Sequence, residues 1–92
     1  MFCDDDILAG GVYLAARERG LRIPDDVSLV GFYDLPFARV FDPPLTTIRI
    51  DPAALGATAF EVLAGLMAGR EAEGHVLPVE LVVRGSTGPA PD

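Results

Sequence analysis

The chain has 92 residues, half of them hydrophobic, and fourteen Asp and Glu against seven basic residues give it a formal charge of −7. That length holds one domain or part of one, with a modest core, and the acidic balance repels phosphate backbones, so direct nucleic-acid binding by this segment is not expected. No apolar run reaches the ~18 residues of a membrane span, and one cysteine with one histidine builds neither an internal disulfide nor a Cys/His zinc site.

Met1-Phe2-Cys3 reads as the last residues of a strand. Asp4, Asp5 and Asp6 then supply an N-cap and favourable charge at a helix start. The helix is expected over 7–19, with Ile7, Leu8, Gly11, Val12, Leu14 and Ala15 on one broad apolar face. Its opposite face (Ala9, Gly10, Tyr13, Arg17) is small, so another surface can approach it closely. Gly20 ends the helix. Pro24, Asp25 and Asp26 form a turn. The apolar run 27–32, interrupted only by Ser28 and Gly31, is a buried strand that stops on Tyr33 and Asp34. Strand, helix, strand in this spacing predicts a βαβ unit, a parallel sheet and an α/β fold class. In such sheets ligands bind at the carboxyl ends of the strands.

Residues 35–42 form a short irregular or one-turn segment carrying Phe37 and Phe41, and Pro43-Pro44 forces an extended path. The β-branched run 45–50 is a strand. Asp51-Pro52 is a strong helix start. The second helix is expected over 52–68, with Leu55, Ala59, Phe60, Val62, Leu63, Leu66 and Met67 on one face. After a polar loop at 70–75, a last strand runs over 76–84, with Pro78 placing its first half at an edge. Residues 85–92 have little apolar surface to bury and are expected to be a loose tail.

No catalytic set emerges. Ser28, Ser86 and the threonines have no histidine near in sequence, and His75 lies in a loop without a nucleophile pattern. A Gly-rich phosphate loop is missing too, since Gly10-Gly11 lies inside the helix behind three acids. The expectation is a non-enzyme without cofactor or metal. The plain reading of the three aspartates is capping. An acidic pair that binds Mg²⁺, as in a receiver domain, is an alternative that needs further acids on neighbouring strands.

Several stretches together resemble the LacI/GalR type of bacterial transcriptional regulator. They are Gly20-Leu21-Arg22-Ile23-Pro24-Asp25-Asp26-Val27-Ser28-Leu29-Val30-Gly31-Phe32 and then Pro43-Pro44-Leu45-Thr46-Thr47-Ile48. Phe2-Cys3, residues 6–11, Leu55-Gly56 with Ala59, Leu81-Val82-Val83-Arg84 and Ser86-Thr87 follow in the matching order. The resemblance implies part of a type I periplasmic-binding-protein-like core of two lobes with a ligand between them. Residues 1–44 then belong to the C-terminal lobe, 45–75 to a crossover strand and helix of the N-terminal lobe, 76–84 to a return strand and 85–92 to a tail. DNA binding falls to an amino-terminal helix-turn-helix not contained in this chain.

The resemblance also implies site residues. Asp5 stands where the family has an Asn that hydrogen-bonds the effector, so it can accept but not donate as an amide. Tyr33 replaces the family's ligand-binding acid: it can donate one hydrogen bond or stack, but cannot take a bidentate pair of sugar hydroxyls. Asp34 matches a second acid that supports the loop, while Pro52 and Leu55 match apolar positions that pack on the ligand. Gly10, Tyr13 and Phe41 match the dimer surface. The effector is a sugar, nucleobase or related molecule, and the protein is cytoplasmic with no membrane partner. The second helix has an apolar face with no lobe here to receive it, which predicts a homodimer, a domain-exchanged oligomer or a longer parent protein. A periplasmic sugar-binding protein shares these lobes and is the alternative from the same fold.

Overall fold

The computed structural model describes residues 1–91; Asp92, the end of the expected tail, lies outside them. The chain divides into two units. One is Met1–Arg49 with the segment from Glu80 onward, and the other is Ile50–Val79.

The first unit is a small sheet with an α-helix laid against it and a short 3₁₀ helix, Pro36–Arg39, whose Ala38 joins the core. Residues 1–3 pair in parallel with the segment around Val30, through Cys3 N to Val30 O at 2.8 Å and Val30 N to Met1 O at 2.9 Å. That segment pairs in parallel with the next, through Gly31 N to Thr46 O at 2.9 Å and Tyr33 N to Ile48 O at 2.8 Å. Strand β1 (Thr47–Arg49) then pairs antiparallel with β2 (Glu80–Val82), with Thr47 opposite Val82 and Arg49 opposite Glu80. The parallel βαβ order expected from the sequence is present. The expected strands are shorter than their apolar runs. Over 27–32 only isolated bridges form, because Leu29 gives its N–H to Ser86 O at 2.9 Å instead of a ladder partner. The run 76–84 keeps only Glu80–Val82, beyond Pro78, which has no N–H to give.

Helix α1 (Asp6–Glu18) starts as its cap predicts: Asp5 Oδ1 accepts from Leu8 N at 2.8 Å. Its buried residues are Asp6, Ala9 and Ala16, with Val12 and Tyr13 packed against the core. Ile7, Leu8 and Leu14 are exposed, at 66, 54 and 63%. The small face, not the broad apolar one, therefore packs on the sheet, because alanine lets the helix backbone approach the strands closely. The core is correspondingly compact: Cys3, Ala9, Leu29, Ala38 and Leu45, flanked by Ile23 and Phe41. Fully buried leucines such as Leu29 and Leu45 contribute about 1.5–3 kcal/mol each.

The expectation of a loose tail from residue 85 is corrected for its first residues. Ser86 is fully buried, its hydroxyl accepting from Thr46 N at 2.8 Å and donating to Leu29 O at 2.6 Å. Gly88 N donates to Ser28 Oγ at 3.0 Å. Polar pairing holds this segment, so its lack of apolar residues did not reveal it.

The second unit is built on α2 (Pro52–Met67), capped by Asp51, whose Oδ1 accepts from Ala54 N at 3.1 Å. Gly69, with φ of 79°, follows its end. No residue of α2 is buried, and Leu55, Phe60, Leu63, Leu66 and Met67 are all exposed. The division after Arg49 differs from a boundary after residue 44 because Leu45, Thr46 and Thr47 are buried in the first unit and β1 pairs there with β2. Among the described residues no helix is long and apolar enough to cross a membrane.

Candidate functional site

The parallel segments of the first unit end on the same side, where they carry Asp5-Asp6, Tyr33-Asp34 and Arg49. Asp6 N donates to Phe32 O at 3.2 Å, so Asp5 and Tyr33 flank one inter-segment hydrogen bond. Beneath them the Asp6 carboxylate is fully buried. Its Oδ2 accepts from Leu35 N at 2.6 Å and its Oδ1 from Thr47 Oγ1 at 2.7 Å. Gly31 makes room for it: a Cβ there would run into Asp6 Oδ1 and stand 2.8 Å from Leu45 Cδ2. A glycine in a strand marks such close approach.

Tyr33 and Asp34 both have positive φ, 111° and 63°. Such backbone costs on the order of 1–3 kcal/mol per residue and persists only where its surroundings hold it. Tyr33 is about one-third exposed, at 36%. The Asp34 side chain is only 5% exposed and faces two guanidinium groups. Arg49 Nε donates to its Oδ2 at 2.9 Å. Arg84 Nη1 lies 2.9 Å from Oδ1, but off hydrogen-bond alignment, so that oxygen has ionic contact only. Arg84 Nη1 also donates to Leu45 O at 3.0 Å. Burial on its own would raise the Asp34 pKa; Arg84 and Arg49 outweigh it and hold the carboxyl below the usual range.

The other expected residues fall in separate places. Asp5 is half-buried and uses one oxygen as the α1 cap. Pro52 and Leu55 are exposed on the first turn of α2, in the second unit. Gly10, Tyr13 and Phe41 come together in the first unit. The Tyr13 and Phe41 rings stack at 4.7 Å, and a Cβ on Gly10 would stand 3.3 Å from Phe41 Cζ. Tyr13 Oη donates to Pro43 O at 2.6 Å, and burial pushes its phenol pKa up. Both rings line an open cleft of about 670 Å³ with Leu14, Arg17, Leu21 and Val40. Phe41 and Tyr13 thus bury part of their surface on each other within the chain.

The acidic-pair reading of the aspartates fits poorly, because Asp6 directs both oxygens at Leu35 and Thr47. Among the described residues no group of three or more His, Cys, Asp or Glu is placed to hold a metal. Sequence reasoning missed Asp6 as a buried acceptor and Arg49 and Arg84 as the partners of Asp34. Gly31 inside a strand was the one signal for the first. For the second, an arginine within or at the end of each of two strand-forming runs was the hint.

A model of the periplasmic binding protein-like domain matches residues 1–87. The HTH-type transcriptional regulator MalR of Streptomyces coelicolor is 46% identical over 91 residues, 97% of this chain and 26% of the regulator, so the chain spans about a quarter of that relative. The lactose operon repressor of Rhizobium radiobacter is 41% identical over 83 residues, 89% of this chain and 74% of that sequence. Among solved structures, a LacI family transcriptional regulator from Enterococcus faecium with bound ribose superposes with a TM-score of 0.79. It is 34% identical, over 96% of this chain and 34% of that one. With a periplasmic-binding-protein-like fold that runs through nearly its whole length, the chain belongs to the LacI family of transcriptional regulators.

Proposed function

We propose that the chain is the carboxyl-terminal part of the effector-sensing and dimerisation core of a cytoplasmic LacI-type transcriptional regulator. It acts by binding, not by catalysis. DNA contact belongs to a helix-turn-helix head outside this chain, consistent with the net charge of −7 here. The observation that carries the reading is that Asp5 and Tyr33 flank the Asp6–Phe32 backbone hydrogen bond, at the strand ends of a chain that matches the family over 1–87.

The effector is a small hydroxyl-bearing or planar molecule, such as a sugar or nucleobase. Asp5 accepts from a hydroxyl, and Tyr33 donates one hydrogen bond or stacks. Asp34, already paired with two arginines, supports the turn. Pro52 and Leu55 are the apolar residues expected to meet the effector. Homodimerisation uses the Gly10, Tyr13 and Phe41 patch and the exposed side of α1. An effector that prefers one conformation of the core shifts its population and so changes operator affinity. Coupling of about 1–3 kcal/mol is typical of such systems.

The test is calorimetry and thermal shift on the regulator in its natural length with ribose, lactose, maltose and hypoxanthine, followed by operator release. Binding of one of these, weakened about tenfold by Tyr33→Ala or Asp5→Ala, is the expected result. Unchanged binding in both variants would refute the site, and no response to any compound would refute the effector class.

A further inference from the structure

We propose that the effector taken at the strand ends is a hydroxylated amine, of the amino-sugar class, whose ammonium group meets Asp5 and the Tyr33 ring. The proposal rests on the effector-sensing reading above and narrows it.

The charge at the strand ends is lopsided. The two arginines placed against the Tyr33-Asp34 turn are already committed. Arg49 Nε and Arg84 Nη1 each stand 2.9 Å from an Asp34 oxygen, and Arg49 Nη1 also lies 3.5 Å from Glu80 Oε2. Asp34 and Glu80 thus cancel Arg49 and Arg84. The start of α1 carries Asp4, Asp5 and Asp6, and among the described residues none of the three has an ion-pair partner. The helix N-terminus offsets these acids by only about half an elementary charge. Asp6 is fully buried and its oxygens serve Leu35 N and Thr47 Oγ1, so it faces no ligand. Asp5 differs. Its Oδ1 caps the helix through Leu8 N at 2.8 Å, while its Oδ2 makes no hydrogen bond among the described residues, and the residue is half-buried. A carboxylate oxygen partly withdrawn from water, with no donor of its own, is met best by a group that brings both donors and positive charge.

Tyr33 stands on the other side of the Asp6 N–Phe32 O hydrogen bond, about one-third exposed. An aromatic face attracts a cation, and a phenol hydroxyl can also accept from a neighbouring hydroxyl. Carboxylate and ring flank one backbone bond, so one small molecule can reach both. An amino sugar satisfies the pair with its ammonium and its hydroxyls. A sugar phosphate or sugar acid instead brings negative charge beside carboxylates that no arginine offsets.

Calorimetry on the natural-length regulator compares glucosamine and galactosamine with glucose, galactose, N-acetylglucosamine and a glucose phosphate. N-acetylation keeps the hydroxyls and removes the charge. The amines should bind about tenfold or more tightly than their neutral parents and N-acetylglucosamine, and the phosphate more weakly than glucose. In Asp5→Asn, which caps a helix as well as Asp does, the preference for amine over neutral parent should shrink to about twofold or less. Tyr33→Phe should keep that preference, and Tyr33→Leu should lower it. Neutral sugars bound as tightly as the amines, a phosphate bound more tightly than glucose, or a preference unchanged in Asp5→Asn would each overturn the proposal. Those outcomes leave the effector-sensing reading standing, whereas no binding by any compound, ribose, lactose, maltose and hypoxanthine included, overturns both. Should Asp5→Asn not fold, the preference measured in Tyr33→Leu decides.

Discussion

Thr47 Oγ1 donates to Asp6 Oδ1 at 2.7 Å across a separation of 41 residues, and this bond joins the start of α1 to β1 beneath the strand ends. With Leu35 N on the other oxygen, one buried carboxylate serves donors from two segments. Asp6→Ala leaves both donors unmet, at about 1–3 kcal/mol each. A loss of about 2–4 kcal/mol in urea unfolding is expected. A change under about 0.5 kcal/mol would mean that water replaces the carboxylate.

Gly31→Ala places a methyl group against Asp6 Oδ1 and Leu45 Cδ2, both in fully buried side chains. Overpacking of this kind costs about 1–3 kcal/mol. Thermal melting should show a clear drop. An unchanged melting temperature would show that Asp6 can move aside freely.

The Asp34 carboxyl, held below its usual pKa, gives the fold an acid limit. The sign follows from linkage: a depressed native pKa contributes stability that is fully present above the unfolded value of ~3.9 and lost as pH falls below it. Urea midpoints measured from pH 6 down to pH 2.5 should therefore fall more steeply in the unaltered chain than in Asp34→Asn. Parallel curves would remove Asp34 as the cause.

Ser86→Ala orphans the Thr46 amide and the Leu29 carbonyl at one stroke. A cost of about 1–3 kcal/mol is expected. Hydrogen exchange at Thr46 N should accelerate well before that at Cys3 N, which donates to Val30 O elsewhere in the sheet. Equal acceleration at both sites would indicate global unfolding instead of loss of a local pin.

Cys3 is buried, and burial pushes its thiol pKa up against the opposing pull of the nearby amino terminus. Since the thiolate is the reactive form, a thiol reagent such as DTNB should modify the folded chain far more slowly than the chain in urea. Equal rates would show that residues 1–3 detach from the Val30 segment.

Local chemistry was legible in the order of residues. Asp5 and Asp51 cap helices where a short acid precedes an apolar period, and Gly20 and Gly69 follow their ends at positive φ. The βαβ order and the stop of the second strand at Tyr33-Asp34 follow from apolar run lengths and punctuation alone. These features depend on neighbours a few residues apart, and so they can be read along the chain. Which face of α1 packs inward could not be read this way. Periodicity favoured Ile7, Leu8 and Leu14, yet Ala9 and Ala16 are buried, because the distance between helix and sheet is set by backbone approach as well as by hydrophobicity. The same holds for Asp6 with Thr47, Asp34 with Arg49 and Arg84, and Ser86 with Thr46. Each is a polar pair whose partners lie 15 to 50 residues apart. No spacing rule connects such residues; only the folded sheet brings a buried donor to its acceptor.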